Sequence, residues 1–230
     1  MRERPNQKSP HIEPEAVVRA GLEILDEEGL DGITLRKIAS RLGVQAPALY
    51  WHFRDKSDII DDMAQAILKE GGIEDLVAPS DNSAWAVWLT QTAHTLHRAM
   101  LSHREGGRIV AGATLRSKAM LHLKVTSTLV LRDAGFDLLR ASLASETVSD
   151  YVWGYVIEEQ AGGAPEEGSA PSQDGRAVPR TKEIPEWKML EEVWEERKEL
   201  TGDELFDWGL QIIINGLKLS LDGSKSCHTR

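Results

Sequence analysis

Apolar residues recur at intervals of three and four along nearly the whole chain, and this spacing limits the possible folds more than any other feature. In residues 14–28, for example, Val17, Ile24 and Leu25 lie on one stripe of a helix, and Pro14 suits its first turn. The same spacing returns in most later segments, while alternation typical of strands and internal repeats are not evident. The sequence therefore predicts an all-α fold.

Two stretches rich in glycine, proline and polar residues interrupt the helical pattern. Residues 71–83, GGIEDLVAPSDNS, indicate a domain boundary. Residues 161–186 contain four glycines and four prolines with almost no bulky apolar residue, which predicts a flexible loop. We therefore expect a disordered arm (1–13), a small helical domain (14–70), a larger helical domain (71–222) and a disordered tail (223–230).

The composition and the terminal segments argue against a disulfide-bonded, secreted or membrane-spanning protein. The single cysteine, Cys227, cannot form an intrachain disulfide, which favours a reducing compartment. The first residues, MRERPNQKSPHIEPE, lack the apolar segment of a signal peptide. The most apolar stretch, residues 210–221, is too short and too polar to span a bilayer. We expect a soluble, cytoplasmic protein with no membrane partner.

The charge is unevenly distributed. Residues 1–56 contain nine basic and nine acidic residues, so the rest of the chain accounts for the whole net charge of −10. Residues 31–57 contain two acidic residues and five basic ones, namely Arg36, Lys37, Arg41, Arg54 and Lys56. A local basic patch on an acidic chain is compatible with nucleic-acid binding. Ordinary surface charge is the alternative, and composition alone favours it.

The segments TLRKIASRLGV and QAPALYWHF have the spacing of a helix–turn–helix. Thr34 is a suitable N-cap for the first helix, and Asp55 for the helix that follows the motif. Ala39 permits close approach of the two helices, Gly43 supplies the turn and Pro47 opens the second helix. The predicted buried stripe of the first helix consists of Leu35, Ile38, Ala39 and Leu42.

The second helix of the motif offers one face to the core and another to a partner. Leu49 and Phe53 lie one turn apart and are expected to point inward. Ala48, Trp51 and His52 then fall on outward or flanking faces, and Tyr50 falls near the edge. Tyr50, Trp51 and His52 each end in a group that can donate to a phosphate. Small side chains at the start of such a helix permit close approach to the major groove and contact with thymine methyl groups. These are Ala46, Pro47 and Ala48, with Arg36 and Lys56 flanking the same face. The alternative is that part of the aromatic run belongs to the core, which we expect for Phe53 and in part for Tyr50.

The stretch TLRKIASRLGVQAPALYWHFRDKSDIIDDMA resembles the DNA-binding domain of the TetR family of bacterial repressors. Segments such as AMLSHREGGRIVAG and WGLQIIINGLKLSL resemble the regulatory domain of its tetracycline-repressor subclass, so the likeness covers about residues 14–221. The resemblance implies a homodimer that binds a palindromic operator and is paired through helices at about 138–160 and 203–221. It also implies a small molecule that enters the larger domain and releases the DNA.

The resemblance assigns DNA contacts to individual positions of this chain. They are Thr34, Arg36, Pro47, Tyr50, Trp51, His52 and Lys56. The base-reading glutamine of the subclass falls on Ala46, although Gln45 precedes it. With Ala48, these two residues complete the predicted DNA-facing set, and the operator sequence of the subclass cannot be carried over.

The drug site of the subclass is not preserved. Its magnesium-ligating histidine falls on Val110, which cannot bind a metal, and a drug-contacting histidine falls on Gly72. Further polar contacts fall on Thr92, Leu96 and the run Ala113-Thr114-Leu115. We interpret Glu158, which the subclass shares, as a solvated or hydrogen-bonded surface acid. The resemblance with these replacements predicts a more apolar pocket without metal or cofactor, and an apolar or aromatic inducer such as a natural product or antibiotic.

The predicted pocket residues come mainly from the middle of the chain. They are Leu96, Met100, Val110, Thr114, Leu123, Ser127 and Trp153, with Trp187 reaching across from the partner protomer. Core packing is the alternative for each of them. His94 and His97 share a helix face near His103, but the sequence places no carboxylate or cysteine to complete a metal site. We favour exposed or hydrogen-bonded histidines.

Two other functions remain open on the residues alone. An all-α enzyme would need a nucleophile–histidine pair or a phosphate-binding glycine loop, and neither spacing is evident. A DNA-binding regulator that senses no small molecule is the other alternative.

Overall fold

The computed structural model describes residues 12–113, 117–161 and 187–227, except for the side chains of residues 187, 190, 191 and 223–227. Throughout these ranges the regular structure is helical and contains no strand, which confirms the all-α prediction. The α-helices are α1 (Pro14–Glu28), α2 (Leu35–Arg41), α3 (Lys56–Glu70), α4 (Trp85–Leu101), α5 (Gly106–Gly112), α6 (Lys118–Ala134), α7 (Leu138–Ala161), α8 (Trp187–Arg197) and α9 (Gly202–Cys227). Short 3-10 turns occupy Leu30–Gly32, Ala46–Trp51, Ile73–Asp75 and Asn82–Ala84.

Both predicted N-caps of the motif are confirmed. The hydroxyl of Thr34 accepts a hydrogen bond from the Lys37 amide at 3.2 Å. The carboxylate of Asp55 accepts hydrogen bonds from the amides of Ser57 at 2.8 Å and Asp58 at 3.2 Å. Each cap satisfies amide groups that have no partner inside the helix, so the starts of α2 and α3 are fixed locally.

The first three helices share one small core. α1 packs against α2 and α3, and the 3-10 turn Ala46–Trp51 packs against α2. A Cβ atom on Gly21 would lie 2.8 Å from the sulfur of Met63, so glycine permits the close approach of α1 and α3. The core includes Val17, Ile24, Leu25, Ile38, Leu49, Phe53, Ile59 and Met63.

The chain divides into two compact units, one ending at Gln160 and the other beginning at Ala161. The predicted domain boundary near residue 70 falls inside the first unit. The reason is that α3 packs on α1 on one side and on α4, α5 and α6 on the other. α3 is therefore shared between the helix–turn–helix and the larger helical region.

Some predicted boundaries differ from the structure or fall outside it. α9 continues to Cys227, into part of the segment predicted as a disordered tail. Residues 1–11 of the predicted arm and 162–186 of the predicted loop lie outside the described residues. Among the helices that the structure describes, none has both the length and the apolar composition to cross a bilayer.

Candidate nucleic-acid interface

The turn of the helix–turn–helix is built around Gly43. This residue has a φ of 66°, in the left-handed region that glycine adopts without strain. The amide of Val44 then donates to the carbonyl of Ala39 at 3.0 Å, which closes the turn after α2. The chain leaves this turn into residues 45–52, here called the recognition segment. Its helical part, Ala46–Trp51, is a 3-10 helix that carries Pro47 in its first turn.

Burial divides the recognition segment and the residue after it into two faces. Leu49 is fully buried and Phe53 is 2% exposed, as predicted for the inward positions. Trp51 is 87% exposed and Tyr50 is 57% exposed, and His52 is exposed as well. The core alternative is therefore right for Phe53 and wrong for Tyr50 and Trp51. Three adjacent polar-tipped rings project from an anchored turn into solvent.

The other predicted DNA-facing residues lie around these rings. Gln45 and Pro47 are exposed, and Ala46 and Ala48 are half-buried. Thr34, Arg36 and Lys56 are exposed at the starts of α2 and α3. The ammonium group of Lys56 donates to the carbonyl of Leu30 at 3.4 Å. The interface thus combines small residues, three rings and two cations.

The remaining basic residues of the patch are engaged within the protein. Lys37 forms an ion pair with Glu28, and Arg41 bonds to Glu27 at 2.8 Å. The Arg41 guanidinium holds the pKa of Glu27 below its ordinary value. These pairs join α2 to α1.

The fifth basic residue is also paired. Arg54 bonds to the carboxylate of Asp58 at 2.6 Å, and this bond raises the pKa of Arg54. Within the described residues, Arg36 and Lys56 are the members of the patch that have no carboxylate partner. The positive surface is therefore narrower than the five charges in the sequence predict.

The predicted pocket residues are mostly interior. Leu96, Met100, Val110, Leu123 and Ser127 are buried, and Trp153 is half-buried. Thr114 and the side chain of Trp187 lie outside the described residues. The assignment of these residues to a ligand stays a prediction, because burial is common to pocket and core.

Two buried polar atoms in the same helical region are unsatisfied. The Thr92 hydroxyl and the Trp153 indole N–H have no hydrogen-bond partner in the described part of the chain. Most buried polar atoms of native proteins are paired, so these two are candidates for contact with a bound molecule.

The histidines are hydrogen-bonded, as favoured from the sequence. His97 is 1% exposed, and its Nε2 lies 2.9 Å from a carboxylate oxygen of Glu159 on α7. His103 Nδ1 lies 2.9 Å from a carboxylate oxygen of Asp26 on α1. The sequence pattern missed both partners because they are distant along the chain. No group of three potential metal ligands occurs in the residues described, and Glu158 is exposed.

A surface groove of about 530 Å³ lies between the segment after α3 and one face of α6. Its apolar lining includes Leu76, Val77, Pro79 and Leu129. None of the residues predicted to contact a ligand lines this groove.

The loop between α4 and α5 forms hydrogen bonds to residues at the end of α1 and just after it. The sequence pattern did not predict these bonds. Glu105 has a φ of 54°, unusual for a residue with a side chain. Its carboxylate accepts a hydrogen bond from the Leu30 amide at 2.6 Å, which lowers the pKa of Glu105 below its ordinary value. The amide of Arg104 donates to Asp26 at 3.0 Å. These bonds join the helix–turn–helix to the larger helical region.

Comparison with known proteins agrees with this geometry. Residues 17–63 match the family described as bacterial regulatory proteins, tetR family. Residues 78–221 match the tetracyclin repressor-like, C-terminal domain. The chain is 35% identical over 206 residues to the tetracycline repressor protein class A from transposon 1721 of Escherichia coli, with 90% of both chains covered.

Solved structures lead to the same family. A TetR variant from Acinetobacter baumannii AYE in complex with minocycline is 33% identical, with a TM-score of 0.70 over 92% of this chain and 99% of that one. BioQ with its natural double-stranded DNA operator is 25% identical, with a TM-score of 0.62 over 90% of this chain and 98% of that one. Members of this family are DNA-binding transcription factors rather than enzymes. This chain therefore belongs to the TetR family of bacterial transcriptional regulators.

Proposed function

We propose that this protein is a ligand-responsive repressor that binds a palindromic operator as a homodimer in the cytoplasm. The observation that carries the proposal is the division of the motif into buried Leu49 and Phe53 and exposed Tyr50, Trp51 and His52. Exposing three rings to water has no benefit for the isolated chain. On a duplex, the same rings supply hydrogen-bond donors to phosphates and apolar area to the groove.

The chemistry of the recognition segment suits a major groove. Ala46, Pro47 and Ala48 carry little bulk at its leading end, so the backbone can approach base edges closely. Arg36 and Lys56 have no carboxylate competing for their charge, so both are available to phosphates. The operator complex of BioQ supports DNA as the partner.

The apolar exposure of two long helices supports a dimer. α7 exposes Leu138, Leu139 and Leu143, and α9 exposes Trp208 and Leu219. Several large apolar residues exposed along one helix are typical of a surface that another protein covers. Because the family resemblance pairs the equivalent helices between protomers, we propose a second copy of this chain as the partner.

The interior supports an inducer that is mainly apolar. Val110 and Leu96 offer no metal ligand, whereas Thr92 and Trp153 offer a hydroxyl and an N–H without partners among the described residues. A pocket of this kind binds an apolar or aromatic body and orients it with one or two hydrogen bonds. The Acinetobacter baumannii relative in complex with minocycline is one similar protein that binds a small molecule. We propose an antibiotic-like or natural-product inducer that is not a tetracycline–magnesium chelate.

The proposal is tested by selecting duplexes from random-sequence DNA with the purified protein and measuring affinity by fluorescence anisotropy. We expect an inverted repeat bound by two protomers, with release by apolar aromatic compounds and not by tetracycline with magnesium. Failure to enrich any duplex contradicts the repressor function. Release by hydrophilic metabolites alone contradicts the apolar inducer, and binding that no compound relieves favours a regulator without an inducer.

A further inference from the structure

The side chain of Gln65 joins three elements of the first unit. It lies half-buried in the middle of α3. Its Oε1 accepts hydrogen bonds from the Ser117 hydroxyl and from the Ala119 amide, each at 2.9 Å. Its Nε2 donates to the carboxylate of Glu74 at 2.7 Å. α3 is thus tied both to the first turn of α6 and to the 3-10 turn that follows α3.

The bonds to α6 act as a cap supplied from another helix. Amides in the first turn of a helix have no partner within the helix. Ser117, which is 3% exposed, accepts from the Met120 amide at 3.3 Å and so satisfies one of them. The Ala119 amide lies in a fully buried residue and is satisfied by Gln65. Without Gln65, this buried amide would lose its acceptor and the first turn of α6 would be destabilised.

The chemistry of the amide fits this position. An amide offers an acceptor oxygen and donor hydrogens on one planar group. The oxygen must face Ala119, whose N–H can only donate, and the nitrogen must face Glu74, which can only accept when ionised. The two neighbours therefore fix the orientation of the amide, and an apolar side chain of similar length would satisfy neither.

The two ends of this connection carry different predicted functions. α3 begins at Lys56, directly after the recognition segment. α6 begins just after α5, which holds Val110, and it continues into Leu123 and Ser127. Gln65 therefore lies on the element that leads from the predicted DNA contacts and bonds to the element that leads into the predicted pocket.

We infer that Gln65 is a positioning residue that couples the first turn of α6 to the DNA-contacting end of α3. The inference rests on the proposed function, and it specifies how the two sites communicate. Energetic coupling of this kind is reciprocal, so DNA bound at one end must alter the stability of the first turn of α6 at the other. The prediction can therefore be tested with DNA alone.

The experiment measures amide hydrogen exchange in residues 117–121 of the full-length protein, with and without a saturating duplex from the random-sequence selection. In the wild type we expect the duplex to slow exchange of this turn by about five-fold or more. In Gln65→Leu we expect exchange to be fast in both states, with the DNA-dependent difference lost. A purely structural cap would instead raise exchange equally in both states and leave the difference intact.

Two further variants serve as controls. Gln65→Glu retains acceptor oxygens for Ser117 and Ala119, so we expect it to preserve the DNA-dependent difference even though its bond to Glu74 is lost. Gln91→Leu changes an exposed glutamine on α4 and should behave as the wild type.

The outcomes separate this inference from the proposed function. A DNA-dependent difference that persists in Gln65→Leu, or that is absent from the wild type while the duplex binds, overturns the coupling and leaves the repressor function standing. Absence of binding to any duplex overturns both. Loss of the difference in Gln65→Leu together with its retention in Gln65→Glu and Gln91→Leu supports the coupling.

Discussion

At the scale of single residues, neighbouring positions of the recognition segment have opposite environments. Leu49 is fully buried and Tyr50 beside it is 57% exposed. Such contrasts arise because a 3-10 turn rotates each residue by about a third of a circle, so a single turn presents distinct faces. The buried side chains of Leu49 and Phe53 fix the turn to the core, and the exposed rings are available to contact a duplex.

A substitution at Gly43 tests whether the turn needs its left-handed backbone conformation. Its φ of 66° is costly for any residue with a Cβ atom, although a Cβ there would meet no atom within 4 Å. We expect Gly43→Ala to lower the free energy of unfolding by about 1 kcal/mol, measured by urea denaturation. Gly112→Ala is the matched control, because Gly112 also has free space around it and ends α5 without a positive φ. An unchanged stability of Gly43→Ala would show that the turn does not need the left-handed conformation.

At the scale of elements, periodicity predicts the helices well because it reflects how each helix buries one side. The expected stripe and first turn of α1, and the caps at Thr34 and Asp55, agree with the structure. The apolar spacing did not predict α5 as a helix of its own. α5 is a seven-residue helix that begins with two glycines. Glycine contributes nothing to an apolar stripe, so a short helix of this composition has no clear period.

The missed parts of the site depend on contacts between distant residues. The Glu105–Leu30 bond joins residues 75 positions apart, and the Gln65–Ser117 bond joins residues 52 apart. Such partners are brought together only by tertiary packing, which local spacing does not encode. For the same reason, the sequence could count the basic residues of the patch and could not show that Arg41 is paired with Glu27.

The bond between Glu105 and Leu30 predicts a pH dependence of stability. The pKa of Glu105 lies below its ordinary value of 4.5, chiefly because the Leu30 amide bonds to the carboxylate. A lowered folded pKa adds stability that is complete above 4.5 and is lost as the pH falls through the folded pKa.

Glu105→Gln keeps an acceptor oxygen but carries no charge. We therefore expect the wild type to be more stable than this variant at neutral pH, with the difference shrinking as the pH falls below 4.5 and through the lowered pKa of Glu105 in the folded protein. Thermal denaturation across this range measures it. A stability difference that stays constant with pH would show that the charge of Glu105 contributes nothing.

The ion pairs between α1 and α2 predict that Arg36 of α2 contacts DNA and that Arg41 of α2 stabilises the fold. Arg36 has no carboxylate partner among the described residues, whereas Arg41 bonds to Glu27 and Glu23. We expect Arg36→Ala to reduce the slope of log affinity against log salt by about one per protomer. Arg41→Ala should leave this slope unchanged and lower the unfolding midpoint. Anisotropy titrations at several salt concentrations measure this slope for each variant. Equal slope changes in both variants would contradict a phosphate contact by Arg36 and a structural role for Arg41.

At the scale of the whole molecule, the recognition segment and the predicted ligand pocket are connected through shared elements. α3 contributes to the packing on both sides, and the Glu105 and Gln65 side chains bond across between them. Under the proposed coupling, a change at either end of α3 would alter the other end, which is the physical requirement for a regulator whose two ligands affect each other.

We propose that the exposed rings of the recognition segment bind DNA while contributing little to folding. The most direct test is the double variant Tyr50→Ala and His52→Ala, assayed by anisotropy on the selected duplex at physiological salt. Because both side chains are exposed, we expect the variant to unfold like the wild type and to sediment as the same dimer. Its affinity for the duplex should fall by about 100-fold or more. A folded double variant that binds this duplex as tightly as the wild type would contradict a DNA-binding role for these rings.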